Sequence, residues 1–234
     1  MTVLVSQLVL FFAAIMGGAI SLFLVKTSDE GKLKLLISFS GSYLLAICLL
    51  HLIPEIYINN THGIGVFILA GFFLQVLLEF FSGGIEHGHV HIHKEDIKVI
   101  PVALLLSLGV HAFTEGMPLG GEMEHKHNTL LLGIILHKIP IAFVLMAFMS
   151  QAKIARSKAV VVLIVFAAMA PLGLFVGTEV RDIISTEKLL AVVVGIFLHV
   201  STTILFESSD NHRFNIKKII IIIFGASLAF LNIF

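Results

Sequence analysis

The chain has 234 residues, of which 58% are hydrophobic and 13% charged, and its mean hydropathy is +1.05. Soluble domains carry about a quarter charged residues, so this composition excludes an ordinary soluble domain and predicts an integral membrane protein. The formal net charge is zero, and nothing in it suggests a nucleic-acid partner. Cys48 is the only cysteine, which excludes an internal disulfide and a thiolate-based zinc site.

Eight apolar segments follow one another along the chain and are joined by short connections. A transmembrane helix needs about 20 mostly apolar residues, and each segment is close to that length. We therefore predict an all-α membrane protein with eight transmembrane helices, forming one transmembrane domain over residues 1–234. The predicted spans are 3–25, 33–57, 63–82, 98–120, 129–150, 158–180, 188–207 and 216–234.

Lysine and arginine are distributed unequally between the connecting loops. Of the 15 such residues, eleven lie in odd-numbered loops and three in even-numbered loops, while Lys138 lies within a span. Cytoplasmic loops carry an excess of these residues, so we expect the odd-numbered loops to face the cytoplasm and both termini to lie outside. The sequence shows no targeting segment, and a bacterial inner membrane is the expected host.

Histidines stand out in the second span and in the third loop. His51 and Glu55 are four residues apart near the outer end of the second span. They either pass cations inward or belong to an ordinary interfacial helix end. The third loop, residues 83–97, contains alternating histidines, which are His87, His89, His91 and His93. Because such histidines in a flexible loop bind metals loosely, we predict that this cytoplasmic loop contacts metal.

The fourth and fifth spans each carry a histidine at membrane depth. His111 precedes Glu115 by one helical turn, and with a rise of 1.5 Å per residue it lies roughly 14 Å from the outer end of its helix. His137 lies roughly 12 Å from the outer end of the neighbouring, antiparallel helix. Polar groups at this depth are costly and persist mainly where they bind something or line a path. Two imidazoles and a carboxylate, with an open fourth position, suit a divalent cation such as Zn²⁺ that must leave again.

Two further polar residues bear on this predicted site. His199 lies in the middle of the seventh span and is either a fourth ligand or a hydrogen-bonded core histidine. Lys138 either occupies the place of a second cation or forms an ion pair, and both roles can hold at once. Its candidate partners are Glu55, Glu79 and Glu115.

At these residues the chain resembles the ZIP (Zrt/Irt-like) family of divalent-metal transporters. The resemblance extends over the whole length and is most specific at His-x-x-x-Glu-Gly, here His111 to Gly116, paired with His137-Lys138 in the fifth span. It implies that metal binds between helices 4 and 5 and enters the cytoplasm. It also implies two inverted three-helix repeats around the central helix 4–helix 5 pair, often in a homodimer.

The chain departs from the family pattern at three positions. Many members have Asn or Asp where this chain has Ala112, and acidic residues where it has Lys138 and Ile141. These substitutions remove the second metal site that the resemblance implies, together with one ligand of the first. We therefore expect a single site on the two imidazoles and the carboxylate, completed by water, a carbonyl or His199.

Three functional hypotheses follow. The first is Zn²⁺ uptake by alternating access, because two imidazoles favour Zn²⁺ over Mg²⁺ and Ca²⁺, which prefer oxygen ligands. Fe²⁺, Mn²⁺ and Cd²⁺ stay open as alternative cargo. The second is a membrane-embedded zinc hydrolase, which is disfavoured because the chain lacks His-Glu-x-x-His and its aspartates lie in loops or at helix ends. The third is a metal sensor without transport. The expected protein is thus not an enzyme, and its partners are a divalent metal and the lipid bilayer.

Overall fold

The computed structural model describes residues 2–24, 30–58, 63–84, 102–121, 127–207 and 216–231, and within these ranges it contains helices and no strand. The α-helices are α1 (Val3–Leu24), α2 (Glu30–Ile47), α3 (Ile53–Ile58), α4 (Ile64–Ser82), α5 (Val102–Gly116), α6 (His127–Gln151), α7 (Arg156–Val180), α8 (Thr186–Glu207) and α9 (Ile216–Leu231).

Most of these helices match the predicted spans. Within the described ranges, seven helical segments are long and apolar enough to cross a membrane. They correspond to the first seven predicted spans, so the all-helical membrane class is confirmed at this level. The helix of the eighth span, α9, has 16 residues here. The residues on either side of α9 lie outside the described ranges, and an eighth transmembrane helix stays a prediction.

Two of the spans contain an irregular turn. A π-helical turn, Cys48–Leu52, joins α2 to α3 into one continuous span, Leu33–Ile58. A 3₁₀ turn, Met117–Gly120, extends α5, with Pro118 near its beginning. Proline cannot donate the α-helical hydrogen bond to Thr114, which favours the change to the tighter turn.

The helices pack in two groups. The first, which we call the α6 group, consists of α1, α5, α6 and α7, and the second, the α8 group, consists of α2, α3, α4, α8 and α9. Within the α6 group, the closest pairings are α1 with α6 and α5 with α7, and within the α8 group α4 with α8 and α2 with α9. The two groups meet mainly where α2 packs on α6 and α4 packs on α5.

Glycines allow backbone contact between α5 and α7. A Cβ atom on Gly116 would lie 2.1 Å from the carbonyl oxygen of Ala170, and one on Gly173 would lie 1.9 Å from that of Phe113. Each helix therefore presents a glycine to the backbone of the other. Small residues are the usual means of close helix packing in membranes, where no hydrophobic effect drives association. This contact holds the C-terminal half of α5, with its predicted ligands, against the rest of the α6 group.

Candidate metal centre

Three predicted ligands meet where α5 and α6 face each other. His111 and Glu115 lie on α5 and His137 lies on α6, and the three side chains are 0%, 1% and 1% exposed. One ligand atom from each lies within 4.8 Å of the other two. Within the described residues, no other group of three or more histidine, cysteine or acidic side chains is as close. Two imidazoles and one carboxylate thus converge in the interior of the helical bundle.

The geometry of this cluster is close to that of a zinc site. Nε2 of His111 lies 2.9 Å from Oε1 of Glu115, one helical turn away. The rings of His111 and His137 are 5.8 Å apart, centre to centre, at an angle of 69°. Tetrahedral Zn²⁺ has bonds of roughly 2.0–2.2 Å and so holds its ligand atoms about 3.4 Å apart. The spacing of the three ligand atoms is therefore similar to that around one tetrahedral ion, so the arrangement could hold a divalent metal.

Two polar residues that were not predicted from the sequence contact the imidazoles. Nδ1 of His111 lies 2.9 Å from Oε1 of Gln75 on α4. Nδ1 of His137 lies 3.2 Å from Oγ of Ser40 on α2. Both partners are fully buried. Gln75 is an isolated amide within an apolar span. Because polar side chains are costly at membrane depth, this pattern could have indicated a functional contact. Ser40 has no such signal, since serines are common in membrane helices.

Lys138 places a buried ammonium beside the cluster. The side chain is 1% exposed, and its Nζ lies 4.8 Å from the centre of the Phe166 ring on α7. It makes no hydrogen bond to any described residue. A lysine here is stabilised by the face of the aromatic ring and by the carboxylate of Glu115, with which it interacts electrostatically.

His199 does not join the cluster of three. Its Nδ1 lies 3.4 Å from Oε2 of Glu79 on α4, and its ring packs edge-on against Phe72. His199 was predicted to be either a fourth ligand or a hydrogen-bonded core histidine. Its contact with Glu79 gives it a polar partner outside the cluster, as in the second interpretation. Glu79, one of the candidate partners of Lys138, contacts His199 instead.

The remaining predicted residues lie away from the cluster or outside the described ranges. His51 lies in the π-helical turn, and its Nε2 is 3.0 Å from the carbonyl oxygen of Ala229 on α9. Glu55 is half-buried in the first turn of α3. The loop histidines, His87, His89, His91 and His93, lie outside the described residues.

Comparison with known proteins gives a family match. A family model described as ZIP Zinc transporter matches residues 84–232, which is well over half of the chain. Zinc transporter ZIP9 of Micropogonias undulatus is 31% identical over 154 residues, covering 59% of this chain and 49% of the relative. Zinc transporter ZIP9-A of Xenopus laevis is 30% identical over 164 residues, covering 62% and 52%.

A further relative matches over a longer stretch. Zinc transporter ZIP1 of Danio rerio is 27% identical over 198 residues, covering 64% of this chain and 64% of the relative. The chain spans about half the length of the two ZIP9 relatives that it matches. The family match includes α5 and α6 and therefore all three clustered ligands.

Proposed function

Because this chain belongs to the ZIP zinc transporter family, we propose that it carries Zn²⁺ across a membrane into the cytoplasm. The ion binds a single site between α5 and α6, and alternating access of that site to the two sides of the membrane moves it. Fe²⁺, Mn²⁺ and Cd²⁺ are alternative cargo, because the same ligands bind other borderline divalent ions.

One observation carries the proposal: three buried ligand atoms, from His111, Glu115 and His137, lie within 4.8 Å of one another inside a helical membrane protein. Burying two imidazoles and a carboxylate in a lipid environment is unfavourable unless they bind a partner. Three protein ligands leave the fourth position for water or a carbonyl. A site completed by an exchangeable ligand can release its ion, as transport requires.

Lys138 supports a site for one ion and not two. A second divalent cation next to Glu115 would be repelled by the ammonium, which is buried and has no water to screen its charge. Lys138 therefore supplies the positive charge that a second metal would bring. Its contact with the Phe166 ring keeps that charge on the α7 side of the site.

The proposed direction of transport is supported by the family and by the distribution of lysine and arginine between the loops. The proposed assembly state is supported by the family alone. With the odd-numbered loops inside, the cluster is nearer to the outer end of α5 and α6, so external zinc reaches it first. The alternating histidines of the third loop then lie at the cytoplasmic exit. The proposed host is a bacterial inner membrane, and the proposed assembly is a homodimer.

The helix pairings support the proposed inverted repeats. Such repeats relate spans 1, 2 and 3 to spans 6, 7 and 8, and span 4 to span 5. Under this relation, the pairing of α1 (span 1) with α6 (span 5) corresponds to that of α7 (span 6) with α5 (span 4). In the same way, the pairing of α4 (span 3) with α8 (span 7) corresponds to that of α9 (span 8) with α2 (span 2). Repeats of this kind place the substrate site at their common centre, which is where α5 and α6 hold the ligands.

The proposal is tested by zinc accumulation in proteoliposomes. We expect purified wild-type protein to accumulate radioactive ⁶⁵Zn²⁺, and His111→Ala and His137→Ala to reduce the initial rate to that of empty liposomes. Loss of one imidazole leaves two protein ligands, too few to remove Zn²⁺ from water. His212→Ala, which changes a histidine outside the predicted spans, is the matched control and is expected to keep the wild-type rate.

Net accumulation separates transport from the other two hypotheses. A sensor binds zinc without accumulation in the liposome lumen, and a hydrolase turns over an added lipid amide without moving metal. Wild-type rates from both histidine variants, with each protein shown to be folded, would contradict the proposal.

A further inference from the structure

Gln75 lies on the buried side of α4, together with Gly71 and Leu78, while the other side of that helix is exposed. It is 0% exposed, whereas its neighbours Phe73 and Leu77 are 59% and 52% exposed. Burying an amide without hydrogen bonds is unfavourable, and here Nε2 makes none to any described residue. The bond that Gln75 does make joins its Oε1 to Nδ1 of His111. The amide is therefore retained at this position at a free-energy cost, and what it contacts is a proposed metal ligand.

The chemistry of this bond decides which nitrogen of His111 is available to a metal. A carbonyl oxygen can only accept, so Nδ1 of His111 carries the hydrogen. The other nitrogen, Nε2, is the one that faces Glu115 at 2.9 Å. A proton or a metal ion can occupy that nitrogen without breaking the bond to Gln75. The imidazole is thus kept in one orientation while its cargo binds and leaves.

Ser40 makes the equivalent contact with the second imidazole. Its Oγ lies 3.2 Å from Nδ1 of His137. The two neighbouring serines on the same helix, Ser38 and Ser42, are equally buried, but each donates to a carbonyl of its own helix at 2.8 Å. Ser40 differs from them because its hydroxyl reaches a side chain on another helix. When this hydroxyl accepts from Nδ1, Nε2 of His137 is again the nitrogen that can bind a metal.

We propose that Gln75 and Ser40 are positioning residues, which hold Nδ1 of His111 and of His137 so that both imidazoles present Nε2 to one metal ion. The inference rests on the proposed function. Histidine ligands in metal sites generally bond through their other nitrogen to such a partner, and removing the partner weakens metal binding about 10–100-fold. Both residues come from the α8 group, whereas all three ligands come from the α6 group. The metal affinity therefore depends on how the two groups pack.

Zinc affinity of the purified full-length protein tests this inference, with a chromophoric chelator as competitor at constant pH. We expect Gln75→Met and Ser40→Ala to raise the Kd for Zn²⁺ about 10–100-fold. Gln75→Glu keeps the acceptor in the same place and is expected to retain most of the affinity. Ser38→Ala and Ser42→Ala are the matched controls for Ser40→Ala, and their affinity is expected to equal that of wild type.

Two further measurements separate positioning from a loss of structure. Without zinc, the Tm of Gln75→Met is expected to stay close to the wild-type value, because loss of the hydrogen bond to His111 is offset by removal of the unsatisfied Nε2 of the amide. The ¹⁵N spectrum of histidine-labelled, zinc-loaded protein reports which ring nitrogen binds metal. We expect Nε2 ligation with a protonated Nδ1 in wild type, and a mixture of the two in Gln75→Met.

The outcomes distinguish failure of the inference from failure of the proposed function. If wild-type protein does not bind Zn²⁺, the proposed function fails. If wild type binds but Gln75→Met and Ser40→Ala bind equally well with an unchanged ¹⁵N spectrum, the positioning role is overturned and the proposed function stands. If Gln75→Met does not fold, Ser40→Ala against its two serine controls decides the matter.

Discussion

The carboxylate of Glu115 contacts one imidazole, faces one ammonium and is a proposed ligand of the cargo. It lies 2.9 Å from Nε2 of His111 and interacts with the ammonium of Lys138. In the absence of metal, these contacts reduce the cost of burying the carboxylate. In the proposed site, Zn²⁺ would bind between the carboxylate and the imidazole, and the ammonium would keep its place beside them. The site can thus be stable both with and without its cargo, which a transporter needs.

Neutralising this carboxylate is expected to remove zinc binding. Glu115→Gln keeps the size of the side chain but removes the anionic ligand, so we expect the Kd for Zn²⁺ to rise by at least about 100-fold. The measurement is chelator competition on purified protein, normalised to the folded fraction. Glu179→Gln, an exposed glutamate at the end of α7, is the control and is expected to bind normally. Normal binding by Glu115→Gln would exclude this carboxylate as a ligand.

At the scale of elements, the close contact between α5 and α7 places the ligands. Gly116 follows Glu115 directly and lies against the carbonyl oxygen of Ala170, where no side chain fits. The family pattern His-x-x-x-Glu-Gly thus combines two ligands with the residue that allows their helix to pack. The pattern predicted the ligands from the sequence, but the reason for its glycine became evident only from the packing.

A methyl group at this position is expected to separate the helices. Gly116→Ala would place Cβ 2.1 Å from a backbone oxygen, which cannot move aside without shifting α7. Overpacking of this kind costs about 1–3 kcal/mol, which lowers the Tm by roughly 2–12 °C for a chain of this size. Gly109→Ala is the matched control on the same helix, because its Cβ would lie at an ordinary 3.8 Å from Met169. Equal Tm values in detergent for the two variants would show that the contact is not tight.

At the scale of the whole molecule, the two helix groups divide the proposed work. The α6 group contains the three proposed ligands, and the α8 group contains Gln75 and Ser40, which contact the imidazoles. The site lies where the groups meet, so its geometry is a property of both. Transport by alternating access requires the surroundings of a site to change, and this boundary is the place where a change would alter the ligands directly.

The charge pattern of the loops makes a prediction about orientation. In a Cys48→Ala background, Ser157→Cys lies in the fifth loop region and Asp182→Cys in the sixth, and both positions are exposed. We expect a membrane-impermeant maleimide to label the cysteine at 182 in intact cells and the cysteine at 157 only after lysis. Labelling in the opposite order would show that the orientation is the reverse of the predicted one, and it would contradict the proposed direction of transport. Cys48 is the only cysteine in the sequence, so its replacement leaves no competing thiol.

The sequence alone determined the membrane class and singled out the three residues that cluster at the candidate site. Runs of about 20 apolar residues have few alternatives to membrane helices, and charged or imidazole groups within them are rare enough to be informative. His111, Glu115 and His137 were therefore found without coordinates.

Only the tertiary structure decided which polar residues surround those ligands. It placed Gln75 and Ser40 against the imidazoles and His199 against Glu79. Sequence spacing relates residues within one helix, whereas these contacts join helices that are far apart in the chain and whose rotation about their axes is set by packing. The partners of a buried side chain are a property of that packing, and no local pattern in the sequence specifies them.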